Sequence, residues 1–150
     1  MTNGHRLTHI GICVQDLAVA VEFYCTALGF EKIGDMHVDD DASARLLAVP
    51  GLVLDLVYLH RDGFRIELLS YTHPETTGDA TPRAMNAVGL THLSFRVDDV
   101  DALSATIVEH GGHLLADRTV TFGGGNRGLM LTDPDGNLLE LIERIAPAGD

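Results

Sequence analysis

Between Thr8 and Val14, apolar side chains fall at every second position. Ile10, Ile12 and Val14 share one side, and His9, Gly11 and Cys13 share the other. Strict alternation of this kind predicts a half-buried strand. After Asp16 the period changes: Leu17, Val21, Tyr24 and Leu28 recur at helical spacing until Gly29. The pattern predicts a helix over about 16–28, with Asp16 accepting from orphan N–H groups at its start and Gly29 ending it.

The same pattern returns 83 residues later. Leu7-Thr-His-Ile-Gly-Ile-Cys-Val-Gln-Asp16 is matched by Leu90-Thr-His-Leu-Ser-Phe-Arg-Val-Asp-Asp99. In the copy, Leu93, Phe95 and Val97 oppose His92, Ser94 and Arg96, and a helix is predicted over about 99–110, ended by Gly111. A second match lies downstream, Asp62-Gly-Phe-Arg-Ile-Glu-Leu-Leu69 against Asp135-Gly-Asn-Leu-Leu-Glu-Leu-Ile142. Each half therefore reads as strand, helix and then strands, the last one following an Asp-Gly turn and carrying one glutamate.

The expected fold is α+β, with module 1 over 1–71 and module 2 over 90–150. The segment 72–89, with Pro74, Gly78 and Pro82 and little periodicity, reads as a linker. Each βαβββ module has a helix on one face of its sheet and a bare second face. Curling the two sheets edge to edge would give an open eight-stranded, trough-like barrel with helices outside, one domain over 1–150, with His9 and His92 facing inward.

Composition narrows the functional classes. The chain has 150 residues, 45% of them apolar, with 10 Lys and Arg against 22 Asp and Glu, a net charge of −12. Nucleic acid and anionic lipid both require concentrated positive charge, so neither is an expected partner. No apolar run approaches the roughly 18–20 residues that cross a bilayer. Two cysteines, Cys13 and Cys25, make no secreted disulfide framework, and Met1–Arg6 has no leader-like apolar core, so the expected compartment is the cytoplasm.

The duplicated polar residues carry the chemistry. Each half supplies a His at its first strand and a Glu in its last: His9 with Glu67, His92 with Glu140. Pseudo-twofold symmetry would bring all four together. Two imidazoles and two carboxylates suit one divalent ion, Zn, Ni, Co, Mn or Fe, and leave positions for two oxygens of a chelating small-molecule substrate. A lone His and a distant Glu mean little, but finding both again at matching places is hard to explain by packing. Arg96 and Arg127, the latter beside the Gly-rich stretch Thr121–Gly128, are candidate anchors for an anionic substrate; the same stretch also reads as a plain flexible connection. His60, His73, His110 and His113 have no repeated partner and read as surface residues, and Asp133–Asn137 reads as a structural turn.

On the segments Thr8–Leu17 with Phe23-Tyr24 and Leu28-Gly29, Ile66–Leu69, Gly89–Val100 and Asp133–Leu141, the chain resembles the vicinal-oxygen-chelate superfamily, also called the glyoxalase/bleomycin-resistance/dioxygenase superfamily. The resemblance covers essentially the whole length. It implies paired modules, a homodimer and a divalent metal at the His and Glu positions. The ligand set is similar to that of metal-dependent glyoxalase, while the stretch from Glu67 to His92 resembles methylmalonyl-CoA epimerase. Epimerases commonly have Gln at the position of Glu67 and a further Glu ahead of the third strand, where this chain has Asp39, Asp40 and Asp41.

The resemblance implies a metal-dependent isomerase, epimerase or lyase that abstracts a proton next to a carbonyl, with Glu140 as base, Glu67 as its partner carboxylate, and an acyl-CoA or thiol hemithioacetal substrate. Two other classes stand beside it. One is a ferrous extradiol-type dioxygenase, which needs only two His and one carboxylate; the other is a metal-free binding protein of the bleomycin-resistance kind.

Overall fold

The computed structural model describes residues 4–144; the expected module ends at 1–3 and 145–150 lie outside the described residues. The chain divides into two compact units, one ending at Gly78 and the next beginning at Asp79.

In the first unit the order is β1 (Ile10–Cys13), α1 (Leu17–Thr26), β2 (Glu31–Val38), α2 (Asp41–Leu47), β3 (Val53–Arg61) and β4 (Phe64–His73). Its sheet has the strand order β1-β4-β3-β2, with β1 parallel to β4 and the other pairs antiparallel. The second unit holds β5 (His92–Val97), α3 (Val100–Glu109), β6 (His113–Thr121), β7 (Arg127–Thr132) and β8 (Leu138–Glu143), in the sheet order β5-β8-β7-β6. The two topologies are the same, and each sheet is open. The fold is α+β, built as two tandem modules.

The helix starts follow from the two aspartates. Asp16 Oδ1 accepts from the N–H groups of Ala18 and Val19 at 2.9 and 3.1 Å, and Asp99 Oδ1 accepts from Ala102 at 2.9 Å. Such caps are worth about 1 kcal/mol each. At the end of α3, Gly111 takes a left-handed φ of 94°. The amides of Gly112 and Gly111 then close back onto the carbonyls of Ile107 and Val108, a Schellman ending that satisfies two orphan carbonyls.

One face of each sheet is covered by its long helix. In the first unit Phe23, Tyr24 and Leu28 are buried with Leu59, Ile66 and Leu68. In the second, Val100 and Ile107 are buried with Leu129, Leu131, Leu139 and Leu141. Each such side chain contributes roughly 1.5–3 kcal/mol by leaving water. These are the apolar faces that the alternation marked.

Two details differ from the sequence expectation. The last strand of the first unit runs on to His73, and the Thr72–Glu75 bridge follows it before a stretch without helix or strand up to Thr91. A further helix, α2, also stands between β2 and β3. Asp40 caps it, accepting from Ala42 and Ser43 N–H and from the Ser43 hydroxyl at 2.6 Å. The Ser43 hydroxyl bond, with the amides behind it, holds the Asp40 carboxyl below its usual range. Ala44 and Val49 pack on a cluster of Leu52, Leu54 and Leu56, closing one end of the sheet face opposite α1. Seven residues make too short a run for periodicity to reveal, and three consecutive aspartates hide a cap.

Candidate metal centre

β-Ladder register decides which side chains share a face. In the first unit Gly11 stands opposite Glu67 across β1–β4, and Tyr58 stands opposite Glu67 across β3–β4. In the second unit Ser94 and Met130 take those two places around Glu140. Residues that pair directly project from the same side of a sheet. Each Glu therefore points away from the long helix, on the face the helix leaves bare.

Each His meets the Glu of its own unit. His9 Nε2 lies 3.3 Å from Glu67 Oε2, and His92 Nε2 lies 3.4 Å from Glu140 Oε2. The same nitrogen meets a carboxylate oxygen in both. The other ring nitrogen is held in the same way twice: Thr8 Oγ1 is 3.1 Å from His9 Nδ1, and Thr91 Oγ1 is 2.9 Å from His92 Nδ1.

The surroundings of the two carboxylates differ. Glu67 is 12% exposed and accepts a hydrogen bond from the Tyr58 hydroxyl, a bond that holds the phenol above its usual range. The Tyr58 ring lies 5.5 Å from that of His9, and the Arg65 guanidinium sits 5.9 Å over it. Glu140 is 32% exposed and accepts from the Ser94 hydroxyl at 2.6 Å.

The donor set fits a divalent cation. Two donors about 2.1 Å from one ion, at 90–109° to each other, stand ~3.0–3.4 Å apart, which is the Nε2–Oε2 spacing in both units. Among the described residues no group of three or more His, Cys, Asp and Glu side chains is placed to hold a metal ion; each unit shows one His–Glu pair.

The other candidates separate by face. Arg96 follows His92 and Ser94 at alternate positions of β5 and is exposed on the Glu140 side. Arg127 projects from the opposite side, because Met130, three residues on, is the partner of Glu140. Its guanidinium binds both oxygens of Asp101 in the first turn of α3, at 2.5 and 2.8 Å, which keeps the Asp101 carboxyl below its usual range. The Gly-rich stretch beside it is a hairpin turn, closed by Phe122 N–H on the Asn126 carbonyl. Asp133 is buried and accepts from the amides of Asp135 and Asn137, so the Asp133–Asn137 segment is a turn.

Sequence reasoning missed Tyr58, although one signal was available. Asp62 and Gly63 both take left-handed φ, 51° and 82°, as a two-residue hairpin turn demands. Counting outward from that turn places Tyr58 opposite Glu67. The two threonines were visible only as part of the repeat.

A tandem α+β protein with one His–carboxylate pair on the open face of each sheet is thus defined by fold and site together. The chain belongs to the Glyoxalase/Bleomycin resistance protein/Dioxygenase superfamily, whose family model matches residues 6–141. It is 34% identical over 139 residues to the uncharacterised protein YaeR of Escherichia coli K12, covering 93% of this chain and 96% of that one. It is 29% identical to catechol-2,3-dioxygenase of Bacillus subtilis, over 94% of this chain but 43% of the dioxygenase. A Vibrio cholerae protein named as a probable lactoylglutathione lyase is 26% identical over 94% of this chain and 92% of that protein.

Solved structures agree on the fold. A glyoxalase family protein from Bacillus cereus matches with TM-score 0.82 at 23% identity, covering 97% of this chain and 99% of that one. The fosfomycin resistance protein FosX of Listeria monocytogenes, in a complex with Mn(II) and sulfate, matches with TM-score 0.58 at 19% identity, covering 97% and 95%. No helix among the described residues is long and apolar enough to cross a membrane.

Proposed function

We propose that this chain is a divalent-metal-dependent isomerase, epimerase or lyase that removes a proton next to a carbonyl. The observation that carries the reading is the duplicated contact: in each unit the imidazole Nε2 meets a carboxylate Oε2, at 3.3 and 3.4 Å. A contact made once is an ordinary hydrogen bond. Made twice, by the same atoms at matching register, it reads as two halves of one ligand set: His9, Glu67, His92 and Glu140 around a single ion. A bound Zn, Ni, Co, Mn or Fe ion would act as a Lewis acid, offsetting the negative charge that develops on the substrate's carbonyl oxygen.

The chain's own residues divide the remaining work. Glu67 is the fixed carboxylate, buried and held by Tyr58. Glu140 is the more exposed, with the Ser94 hydroxyl and His92 upon it, and is the proton acceptor. It takes the proton beside the carbonyl. A glyoxalase-type conversion returns that proton to the neighbouring carbon, whereas epimerisation needs a second group, for which Glu67 is the candidate, to deliver a proton to the opposite face of the same carbon. Arg96, exposed on the same face, meets an anionic part of the substrate. The substrate is an acyl-CoA or thiol hemithioacetal, and the working form is a homodimer in the cytoplasm.

A second reading has one observation behind it. Similarity to the Bacillus subtilis dioxygenase supports a ferrous site of two His and one carboxylate, which would leave Glu67 to Tyr58. Metal analysis of protein purified without chelators, joined to a solvent-deuterium exchange screen of acyl-CoA and hemithioacetal substrates, decides between them. Exchange that needs stoichiometric metal supports the proton-abstraction reading. Ferrous iron with oxygen-dependent ring cleavage and no exchange supports the dioxygenase. A protein binding no metal would sink both and leave a binding protein.

A further inference from the structure

We propose that Thr8 and Thr91 are positioning residues that present the Nε2 lone pairs of His9 and His92 to the metal. This rests on the metal-centre reading above and goes beyond its ligand set. The threonine hydroxyl lies on the Nδ1 of the following histidine in both units, at 3.1 and 2.9 Å, while the Nε2 atoms face Glu67 and Glu140. The dipeptide and its internal contact are both duplicated, in units that differ elsewhere. Where the first has Gly11 and Tyr58 beside its Glu, the second has Ser94 and Met130.

A neutral imidazole carries one N–H and one lone pair, on opposite ring nitrogens. Ligation through Nε2 puts the proton on Nδ1, where it needs an acceptor; partners at that atom fix the ring and raise its basicity. A hydroxyl has one proton and two lone pairs and rotates freely. With Nε2 on an ion, the threonine oxygen accepts from Nδ1–H. With the cation gone, Nε2–H donates to the glutamate and the threonine hydroxyl donates to Nδ1. One ring proton suffices for both arrangements, and no ring nitrogen loses its partner. A carbonyl or carboxylate in the threonine's place could serve only the loaded form.

Zn²⁺ affinity of the purified full chain, read by competition with a chelating indicator, tests the proposal. Threonine→valine removes the hydroxyl and keeps the shape. Thr8→Val with Thr91→Val should weaken Zn²⁺ binding by about 10–100-fold, with thermal melting close to wild type. Thr8→Ser with Thr91→Ser should restore it. ¹⁵N NMR of the Zn²⁺-loaded protein should show the proton of both rings on Nδ1.

Valine variants that bind Zn²⁺ as tightly as wild type overturn the proposal and leave the metal reading intact. Weak binding that serine does not rescue also overturns it, since a hydroxyl at that place would then not suffice to present the rings. Wild-type protein that takes up no divalent ion overturns the metal reading itself, and the positioning role falls with it.

Discussion

Tyr58 stands opposite Glu67 across the β3–β4 ladder, and its hydroxyl hydrogen-bonds the carboxylate; the equivalent place beside Glu140 is held by Met130. The duplicated site is therefore unequal in its support. Glu67 is buried beside a phenol, whereas Glu140 is more exposed and is held by the Ser94 hydroxyl and His92.

Tyr58→Phe tests that difference. The ring and its contact with His9 remain, while the bond to Glu67 is lost. Stability should fall by roughly 1 kcal/mol, and metal affinity should fall by about tenfold, within the range for an outer partner of a ligand. Thermal melting and Zn²⁺ titration check both. An unchanged affinity would mean that Glu67 needs no anchor.

Gly112 tests the ending of α3 inside the second unit. A Cβ there would lie 2.5 Å from Ile107 Cγ2 and 2.6 Å from the Thr132 carbonyl oxygen. Neither α3 nor β7 can retreat cheaply, so Gly112→Ala should cost about 1–3 kcal/mol. Gly123→Ala, where nothing lies within 4 Å, should stay within about 0.5 kcal/mol of wild type. Chemical denaturation of the two variants side by side measures the contrast.

Much of this was legible in the sequence because the chain repeats itself. The offset of 83 residues between the two Thr-His segments carries through to the helix bounds, Leu17–Thr26 and Val100–Glu109. Two-residue alternation put both histidines on the bare face. What stayed hidden was non-periodic. The offset falls to 73 between Glu67 and Glu140, and the ten surplus residues of the first half fall where α2 and its flanks stand. The face taken by Arg127 was not legible because a Gly-rich turn says nothing about which way the next strand faces. Only ladder register shows that it sits back-to-back with Glu140 and is held by Asp101.

His37 should make stability depend on pH. Its Nδ1 lies 2.7 Å from Asp55 Oδ1, and this hydrogen bond, more than the nearby charges of Asp55 and Asp39, raises the imidazole above its ordinary value of 6.5. A raised folded-state value means the folded protein holds the proton more tightly than the unfolded chain does. The pair's contribution is then fully present below about pH 6.5 and is lost as pH rises through the folded value. The melting temperature of wild type should exceed that of His37→Gln at about pH 5.5, and the gap should close by about pH 8.5. A gap that widens with pH would show that the neutral ring carries the contact.

The exchange of Glu140 and Glu67 for glutamine separates charge from proton acceptance. Each substitution removes one negative charge from the ligand set and keeps an oxygen that can face a cation. Only the loss of the true base also removes the group that accepts the substrate's proton, since an amide cannot do so at neutral pH. General-base catalysis contributes about 10²–10⁴-fold. Glu140→Gln should therefore lower solvent-deuterium exchange by at least that order while retaining much of the bound metal. Glu67→Gln should be milder in exchange but should loosen the Tyr58 contact, so its deficit should lie mainly in metal affinity. Exchange rates at saturating metal, with metal content measured on the same samples, distinguish the two effects. Equal losses in both variants would assign the effect to charge at the ion and remove Glu140 from the role of base. A larger loss in Glu67→Gln would pass that role to the buried carboxylate, with Tyr58 holding it in place.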